Sequence, residues 1–314
     1  VAGCDRLAGI QATRTLNNRG KAMSITSVKE KPFVNTLKSN SYGKSMVRLT
    51  KIDRNSTPPR WKEITVATEL RGEFDKCYLE GDNSKIVATD SIKNTVYVLA
   101  SKHTINSLEE FALLIAKHYL DDYAHVADVQ VNISEDVWSQ IPVGEKLHPT
   151  AFVKGREDIR TANVFMNRKE SRVESGIENL AVAKITDSEF SGFLRDSYTT
   201  LKDSTDRIFG TKINAHWTYN THSTDFNHAY ETARKTMLEV FAHHHSLSAQ
   251  QTLFAMGEAV IETLQDVEEI RLALPNIHRI PFDMAPFGQE NRNEIFITTS
   301  EPYGLIKGQV SRKK

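Results

Sequence analysis

The apolar residues of this chain switch period in the same order twice, and that repeat restricts the folds open to it. Val47 and Leu49, then Ile64, Val66 and Leu70, alternate as half-buried strands do, with the turn formers of Asp53 to Pro59 between them. Ile92, Val96 and Leu99 follow at helical spacing. Leu108, Phe111, Leu114, Ile115 and Tyr119 make a second helical stripe behind the capping box Ser107-x-x-Glu110. Strands return at Val129, Val131 and Ile133, and in a run from Thr150 through Asn163, Val164 and Phe165.

The rest of the chain runs through the same order. Strands are expected around Leu180 to Ile185 and at Ile213, Ala215, Trp217 and Tyr219. One helix carries Phe226, Ala229, Tyr230, Ala233, Met237, Val240 and Phe241; the next carries Leu253, Met256, Val260 and Leu264 behind Ser248-x-x-Gln251. Strands through Leu272 to Ile280 and Ile295 to Thr299, continued past Pro302, close the unit. The pattern predicts an α+β chain with one unit over 41–170 and a second over 171–314. Each makes an antiparallel sheet with two helices on one face, and its exposed edges invite pairing with further copies. Residues 1–40 lack sustained periodicity and read as a mobile tail or as sequence foreign to the fold.

Composition removes several function classes. Lys+Arg and Asp+Glu number 40 each, so no long-range field draws the chain to nucleic acid or to an anionic membrane, and a small ligand is expected. Cys4 and Cys77 form no CxxC pair and lie near no histidine at ligand spacing, which argues against a disulfide scaffold and a zinc ribbon. No apolar run approaches the roughly 20 residues of a membrane span, and the start lacks the apolar core of a secretory signal. The expectation is a soluble intracellular protein.

Five stretches carry candidate chemistry. Asp82-Asn83-Ser84 hands over to Val87-Ala88-Thr89-Asp90-Ser91-Ile92-Lys93-Asn94-Thr95, where a helix begins. Thr89 or Asp90 is the expected N-cap, and such a helix end suits an anion, although an ordinary capped helix has the same spacing. Tyr42-Gly43-Lys44 opens the first strand, where a lone lysine reads as a solvated charge. Phe190-Ser191-Gly192-Phe193, Tyr198-Thr199-Thr200-Leu201 and Asp206-Arg207 offer aromatic faces and a guanidinium; by residue type alone Phe190 and Leu201 read as core and Arg207 as an ion-pair partner. Ser248-Ala249-Gln250 opens a helix whose first amides lack helical partners. Leu274-Pro275-Asn276-Ile277-His278 is expected on one strand, with period two sending Asn276 and His278 to the face of Leu272 and Leu274. His243-His244-His245 ends a helix, where adjacent side chains diverge, and reads as structural and not as a metal tract.

The Asp82 to Thr95 stretch resembles the signature of the urate oxidases (uricases), and the other four stretches agree with it over roughly Tyr42 to Arg312. The resemblance implies a duplicated tunnelling fold (T-fold), each unit ββααββ, assembled into the barrels of a homotetramer. It implies oxidation of urate by O2 and water to 5-hydroxyisourate and hydrogen peroxide, with no metal or flavin and with urate itself as reductant. Lys44 as base and Thr89 as relay would form a proton-transfer pair joined by His278. Phe190 would stack on the purine, Leu201 bound it, and Arg207 and Gln250 grip it. Ala249, where the family more often has valine, would lend a backbone N–H, and Asn276 would hold O2 or water. Thr89 and Asp90 would act across a subunit boundary, so that no single subunit holds a complete site.

Two other readings remain open in the sequence. A cyclohydrolase-like T-fold enzyme acting on a purine or pterin would recruit zinc through Cys and His, which the unpaired Cys77 disfavours. A purine-binding protein without catalysis would have no use for the relay residues Lys44, Thr89 and His278. The chain ends Ser311-Arg312-Lys313-Lys314 and not in the Ser-Lys-Leu address of peroxisomal uricases, so the cytoplasm is expected, with the peroxisome left open.

Overall fold

The computed structural model describes residues 35–313, so the reading of 1–34 as part of a mobile tail lies outside the described residues. The first half runs β1 (Tyr42–Asp53), β2 (Arg60–Gly72), α1 (Asp75–Glu80), α2 (Thr89–Lys102), α3 (Leu108–Asp122), β3 (Val126–Asp136), β4 (Trp138–Val143), β5 (Lys146–Lys154) and β6 (Ile159–Asn167). The second runs β7 (Ser171–Lys184), β8 (Phe209–Tyr219), α4 (Phe226–His243), α5 (Ala249–Thr263), β9 (Val267–Pro275), β10 (His278–Pro281), β11 (Phe296–Thr299) and β12 (Leu305–Ser311). Eight strands make one antiparallel sheet in the order β1-β2-β3-β6-β7-β8-β9-β12. The halves therefore share a sheet, joined at the tight turn between β6 and β7. There Asn167 Oδ1 accepts the N–H groups of Lys169 and Glu170 at 2.8 and 3.0 Å.

Alternation sets the register. Val47 faces Val66 and Leu49 faces Ile64 across β1 and β2, and Val129, Val131 and Ile133 are buried along β3. On β8 Ile213, Ala215 and Trp217 are fully buried. One apolar cluster unites these residues with the inner stripes of α2 to α5. The expected caps form at α3, where Ser107 accepts the Glu110 N–H, and at α5, where Ser248 accepts the Gln251 N–H. Among the described residues no helix is long and apolar enough to cross a membrane.

Three local expectations are corrected. The N-cap of α2 is Ala88 (φ −52°, ψ 136°) with no side-chain bond, so Thr89 and Asp90 are the first helical residues and not caps. The run from Thr150 to Phe165 is split into β5 and β6 at Gly155 to Asp158, and β5 pairs with the unexpected β4 in a separate hairpin. The run from Leu272 to Ile280 breaks after Pro275, and β10 pairs with β11 outside the main sheet. Both hairpins are largely solvent-facing, which removes the burial alternation that would have marked them. Each fills the same place in its half, between the last two strands of the sheet.

A buried polar network ties the halves together behind the sheet. Glu109 of α3 is wholly buried and Arg160 of β6 is 6% exposed. Arg160 donates to Glu109 Oε2 at 2.9 Å and to Asn227 Oδ1 of α4 at 2.8 Å, with its guanidinium 4.6 Å from the centre of the Tyr230 ring. Ser175 of β7 donates to Glu109 Oε1 at 2.5 Å and bonds the Tyr219 hydroxyl at 2.8 Å. Trp217 Nε1 donates to the same Tyr219 oxygen at 2.9 Å. Removing Glu109 or Arg160 leaves the buried charge of the other unpaired. Glu109→Ala is therefore expected to destabilise the protein by about 3–5 kcal/mol, and the apolar pair Glu109→Leu with Arg160→Met by much less. Urea unfolding of the three proteins checks this; a Glu109→Ala midpoint equal to the wild-type value would remove the network as a support.

Candidate active site

The Tyr-Gly-Lys motif opens β1, and each of its residues has a separate task. Tyr42 accepts the Val87 N–H at 2.8 Å on its hydroxyl and packs edge-on against buried Phe74, so the start of the strand holds the loop that leads into α2. Burial pushes its phenol up, against the opposing effect of the Val87 bond. Gly43 lies so close to β2 that a Cβ would sit 1.9 Å from the Thr68 carbonyl oxygen. Lys44 follows, half-buried and opposite Thr68, just before the register shifts and Met46 takes a φ of 58°.

Thr89 and Asp90 stand exposed on the first turn of α2. Asp90 accepts from Lys93 Nζ at 2.5 Å and Asn94 Nδ2 at 3.1 Å. The Lys93 bond first, then its charge, hold the Asp90 carboxyl below the usual range, and the Lys44 ammonium adds to the effect. Asp90, with Thr89 beside it in the sequence, thus stands at the start of α2 within reach of the Lys44 charge on β1.

A second group forms on a small backbone ladder beside β8. The Arg207 N–H donates to the Ser188 carbonyl at 2.8 Å, and Phe190 and Ser204 exchange backbone bonds of 2.8 and 3.0 Å. On the other side the Glu189 N–H donates to the Ser246 carbonyl at 2.8 Å. Phe190 stacks on Phe193 with ring centres 4.9 Å apart, and the Arg207 guanidinium lies 5.1 Å from the centre of the Phe190 ring. Arg207 Nε is buried and has no partner among the described residues. Desolvation pulls the Arg207 pKa below its ordinary value. Phe190, Leu201 and Arg207 line a cleft of about 200 Å³ together with Arg279, Asn293 and Phe296. Leu201 is 55% exposed, a side wall and not core.

Ala249, Gln250, Asn276 and His278 sit on other elements and are not among the residues that line this cleft. Ala249 is buried and Gln250 exposed in the first turn of α5. Asn276 follows the end of β9 and bridges to Thr211 of β8, its N–H donating to the Gly304 carbonyl at 3.0 Å. Its Oδ1 is buried without a partner among the described residues. His278 starts β10 and is exposed, so it does not continue the buried face of Leu272 and Leu274 as period two had required. The strand break after Pro275 is the reason. Arg279, Asn293 and Phe296 escaped sequence reasoning; only Arg279 had a signal, as the neighbour of the Leu-Pro-Asn-x-His motif.

The two groups are separated within one chain. Lys44 lies on β1 and the second group is organised around β8, five places along the sheet. At 4.7–4.9 Å per strand that is a path of about 24 Å. Among the described residues no group of three or more His, Cys, Asp and Glu side chains is arranged to hold a metal ion.

Comparison with known proteins gives the lineage. The uricase family profile matches residues 40–165 and 173–307, a division that falls at the turn between β6 and β7. The chain belongs to the uricase family. It is 41% identical to the uricase of Arthrobacter globiformis over 277 residues, covering 88% of this chain and 90% of that protein. It is also 41% identical to the uricase of Dictyostelium discoideum over 283 residues, covering 88% of this chain and 98% of that one. The crystal structure of the Arthrobacter globiformis uricase superposes with a TM-score of 0.85 at 40% identity, over 89% of this chain and 96% of that chain. A urate oxidase structure from Bacillus sp. TB-90 superposes with a TM-score of 0.78 over 87% of this chain and the whole of that one; at 23% identity it shows the fold alone. This chain accordingly has the uricase T-fold.

Within this uricase fold Gly43 is the residue on which the placement of Lys44 turns. Gly43→Ala is expected to part β1 from β2 at Thr68 and to destabilise the protein by about 1–3 kcal/mol, the range for overpacking. Thermal unfolding with amide exchange of Thr68 to Leu70 checks it; wild-type protection there would show that the close approach is dispensable.

Proposed function

We propose that this chain oxidises urate with O2 and water to 5-hydroxyisourate and hydrogen peroxide, using no metal or organic cofactor. Urate gives two electrons to O2, which takes up two protons to become peroxide, and water adds its oxygen at C5. The observation that carries the siting of this reaction is the pair of buried, unpartnered polar atoms Arg207 Nε and Asn276 Oδ1 on segments flanking β8. Such atoms are unfavourable unless a ligand or water satisfies them, and a donor with an acceptor suits a purine edge that offers both. Membership of the uricase family supports urate as that ligand.

In this reading Phe190 supplies the plane on which the purine stacks, and Leu201 limits it sideways. Arg207 and Gln250 are the prongs at its polar edge, with the Ala249 amide at the free end of α5. Asn276 holds O2, or later water, over the ring. Lys44 takes a proton from bound urate through the Thr89 hydroxyl, with Asp90 beside them and His278 continuing the relay. Loss of that proton raises the electron density of the ring, which favours transfer to O2.

The reading joins the two groups across a subunit boundary in a homotetramer. Two features support it: the path of about 24 Å between β1 and β8 within one chain, and the ladders of β1 and β12, which are open among the described residues at the two edges of the sheet. Unpaired edges of this length are partners for strands of further copies.

Protein treated with chelator is expected to bleach urate absorbance and release peroxide in equal amounts. Lys44→Met should lower turnover by about 10²-fold or more while urate affinity stays within a few-fold, as for loss of a general base. Steady-state kinetics with peroxide assay checks both; unchanged turnover in Lys44→Met removes the lysine from the mechanism. Thr89→Ala and Arg207→Ala should each be inactive alone, yet regain about a quarter of the sites when co-assembled at equal ratio, since symmetric interfaces then bring intact halves together. Inactive hetero-oligomers, with composition verified by mass spectrometry, would refute shared sites.

A further inference from the structure

His245 lies between the two segments that carry the polar grip of the site. Its Nδ1 bonds Asp187 Oδ1, and its Nε2 lies 2.6 Å from Glu189 Oε1. Asp187 and Glu189 stand two apart, Asp187 in a bend just before the bridge at Ser188, and the ring bonds both carboxylates from between them. A neutral imidazole has one N–H and would turn a bare nitrogen to one carboxylate; only the imidazolium donates to both. Backbone bonds run alongside: the Glu189 N–H to the Ser246 carbonyl at 2.8 Å and the Ser246 N–H to the Asp187 carbonyl at 3.1 Å. Asp187 itself has a left-handed φ of 63°, with its N–H bonded to Asp206 Oδ1 at 3.0 Å.

What lies on either side gives this clamp its meaning. Phe190 directly follows Glu189, and the Arg207 N–H is bonded to the intervening Ser188 carbonyl. Across the clamp, Ser246 leads to the Ser248 cap and then to Ala249 and Gln250. We propose that His245, as an imidazolium gripping Asp187 and Glu189, is a positioning residue that holds the Phe190–Arg207 arm against the Ala249–Gln250 arm and thereby sets urate affinity. The inference rests on those four residues binding urate.

The charges around the ring define its pH dependence. The Asp187 bond, then the Glu189 bond, raise the His245 pKa above the ordinary 6.5 against a smaller desolvation effect. The His245 bond in turn holds the Asp187 carboxyl low. The adjoining His244 is lowered, first by burial and then by Lys184, whose ammonium bonds the His244 carbonyl. Asp206 faces the same segment and is bonded to Thr186 and to the Asp187 N–H. A pKa raised in the clamped state means that the clamp is complete below 6.5 and is lost as pH rises through the raised value. Substrate binding should weaken towards alkaline pH for this reason.

The test compares wild type, His245→Gln and His245→Lys in urate kinetics and in binding of a non-oxidisable xanthine, from about pH 6 to 10. The ligand's own titration is common to all three and cancels in their ratio. His245→Gln should bind xanthine about tenfold more weakly at the acid end, the equivalent of one charge-assisted hydrogen bond, with no further loss through the imidazolium window. His245→Lys, cationic up to its own ordinary pKa near 10.4, should keep its affinity where the wild type loses it. In both, KM should move and kcat stay within about threefold, since the ring touches no reacting atom. Peroxide release from urate by the wild type checks the underlying reading separately; its absence would refute that reading, whatever the variants do. Wild-type affinity and pH dependence in His245→Gln, in an enzyme that oxidises urate, would overturn the positioning role. Should His245→Gln not fold, Glu189→Gln, which keeps the ring and Asp187, is expected to weaken xanthine in the same direction, and wild-type binding there overturns the proposal equally.

Discussion

The buried contact of Glu109 with Arg160 constrains the rest of the molecule. Neither charge can remain in the apolar interior alone, so α3, β6, β7 and α4 must come to one place before either is satisfied. Glu109 belongs to the first half of the chain, whereas Ser175, Tyr219 and Asn227 belong to the second. Hydrophobic packing alone would tolerate a small slide of one half over the other. A guanidinium held by two side-chain oxygens and laid over the Tyr230 ring would not. The alignment of the halves behind the sheet thus has a geometric key, while the ladder between β6 and β7 supplies continuity in front.

The candidate site relies more on backbone than on side-chain packing. Residues 187–190, 204–207 and 246 pair through main-chain bonds, so Phe190 and Arg207 are positioned by the backbone, while the Asp187 and Glu189 side chains of the same ladder bond His245. Asn276 is fixed likewise, through its N–H to Gly304 and the neighbouring Ile277 N–H to Gly210. A site so built can leave polar atoms unpaired without losing its shape. Arg207 Nε and Asn276 Oδ1 are two such atoms.

Much of this was legible in sequence because burial leaves a period. The pairing of β1 with β2, the stripes of α3 and α4, and the caps Ser107 and Ser248 all follow from residue spacing. Thr89 misled because a favourable N-cap residue stood next to Ala88, whose extended backbone takes that place without any side-chain bond. The strand breaks at Gly155 and Asn276 were hidden because β5 and β10 face solvent and carry no alternation. Glu109 is merely one more acidic residue in a helical first turn until its partners arrive from far along the chain. His245 read as structural by its position, but the two carboxylates it bonds lie more than fifty residues earlier and could be found only in the fold.

The hairpins β4–β5 and β10–β11 occupy matching places in the two halves and contribute nothing to the eight-stranded ladder. Neither hairpin shares a ladder with the main sheet, so a change of loop length within it breaks none of the main sheet's strand pairings. Yet Arg279, Pro281 and Phe296 of the second hairpin line the cleft beside Arg207, whereas the first hairpin has no residue there. The fold therefore offers one appendage through which the shape of a ligand cleft can drift under selection, and an equivalent appendage that can drift for any other purpose, with the scaffold shared by both held constant.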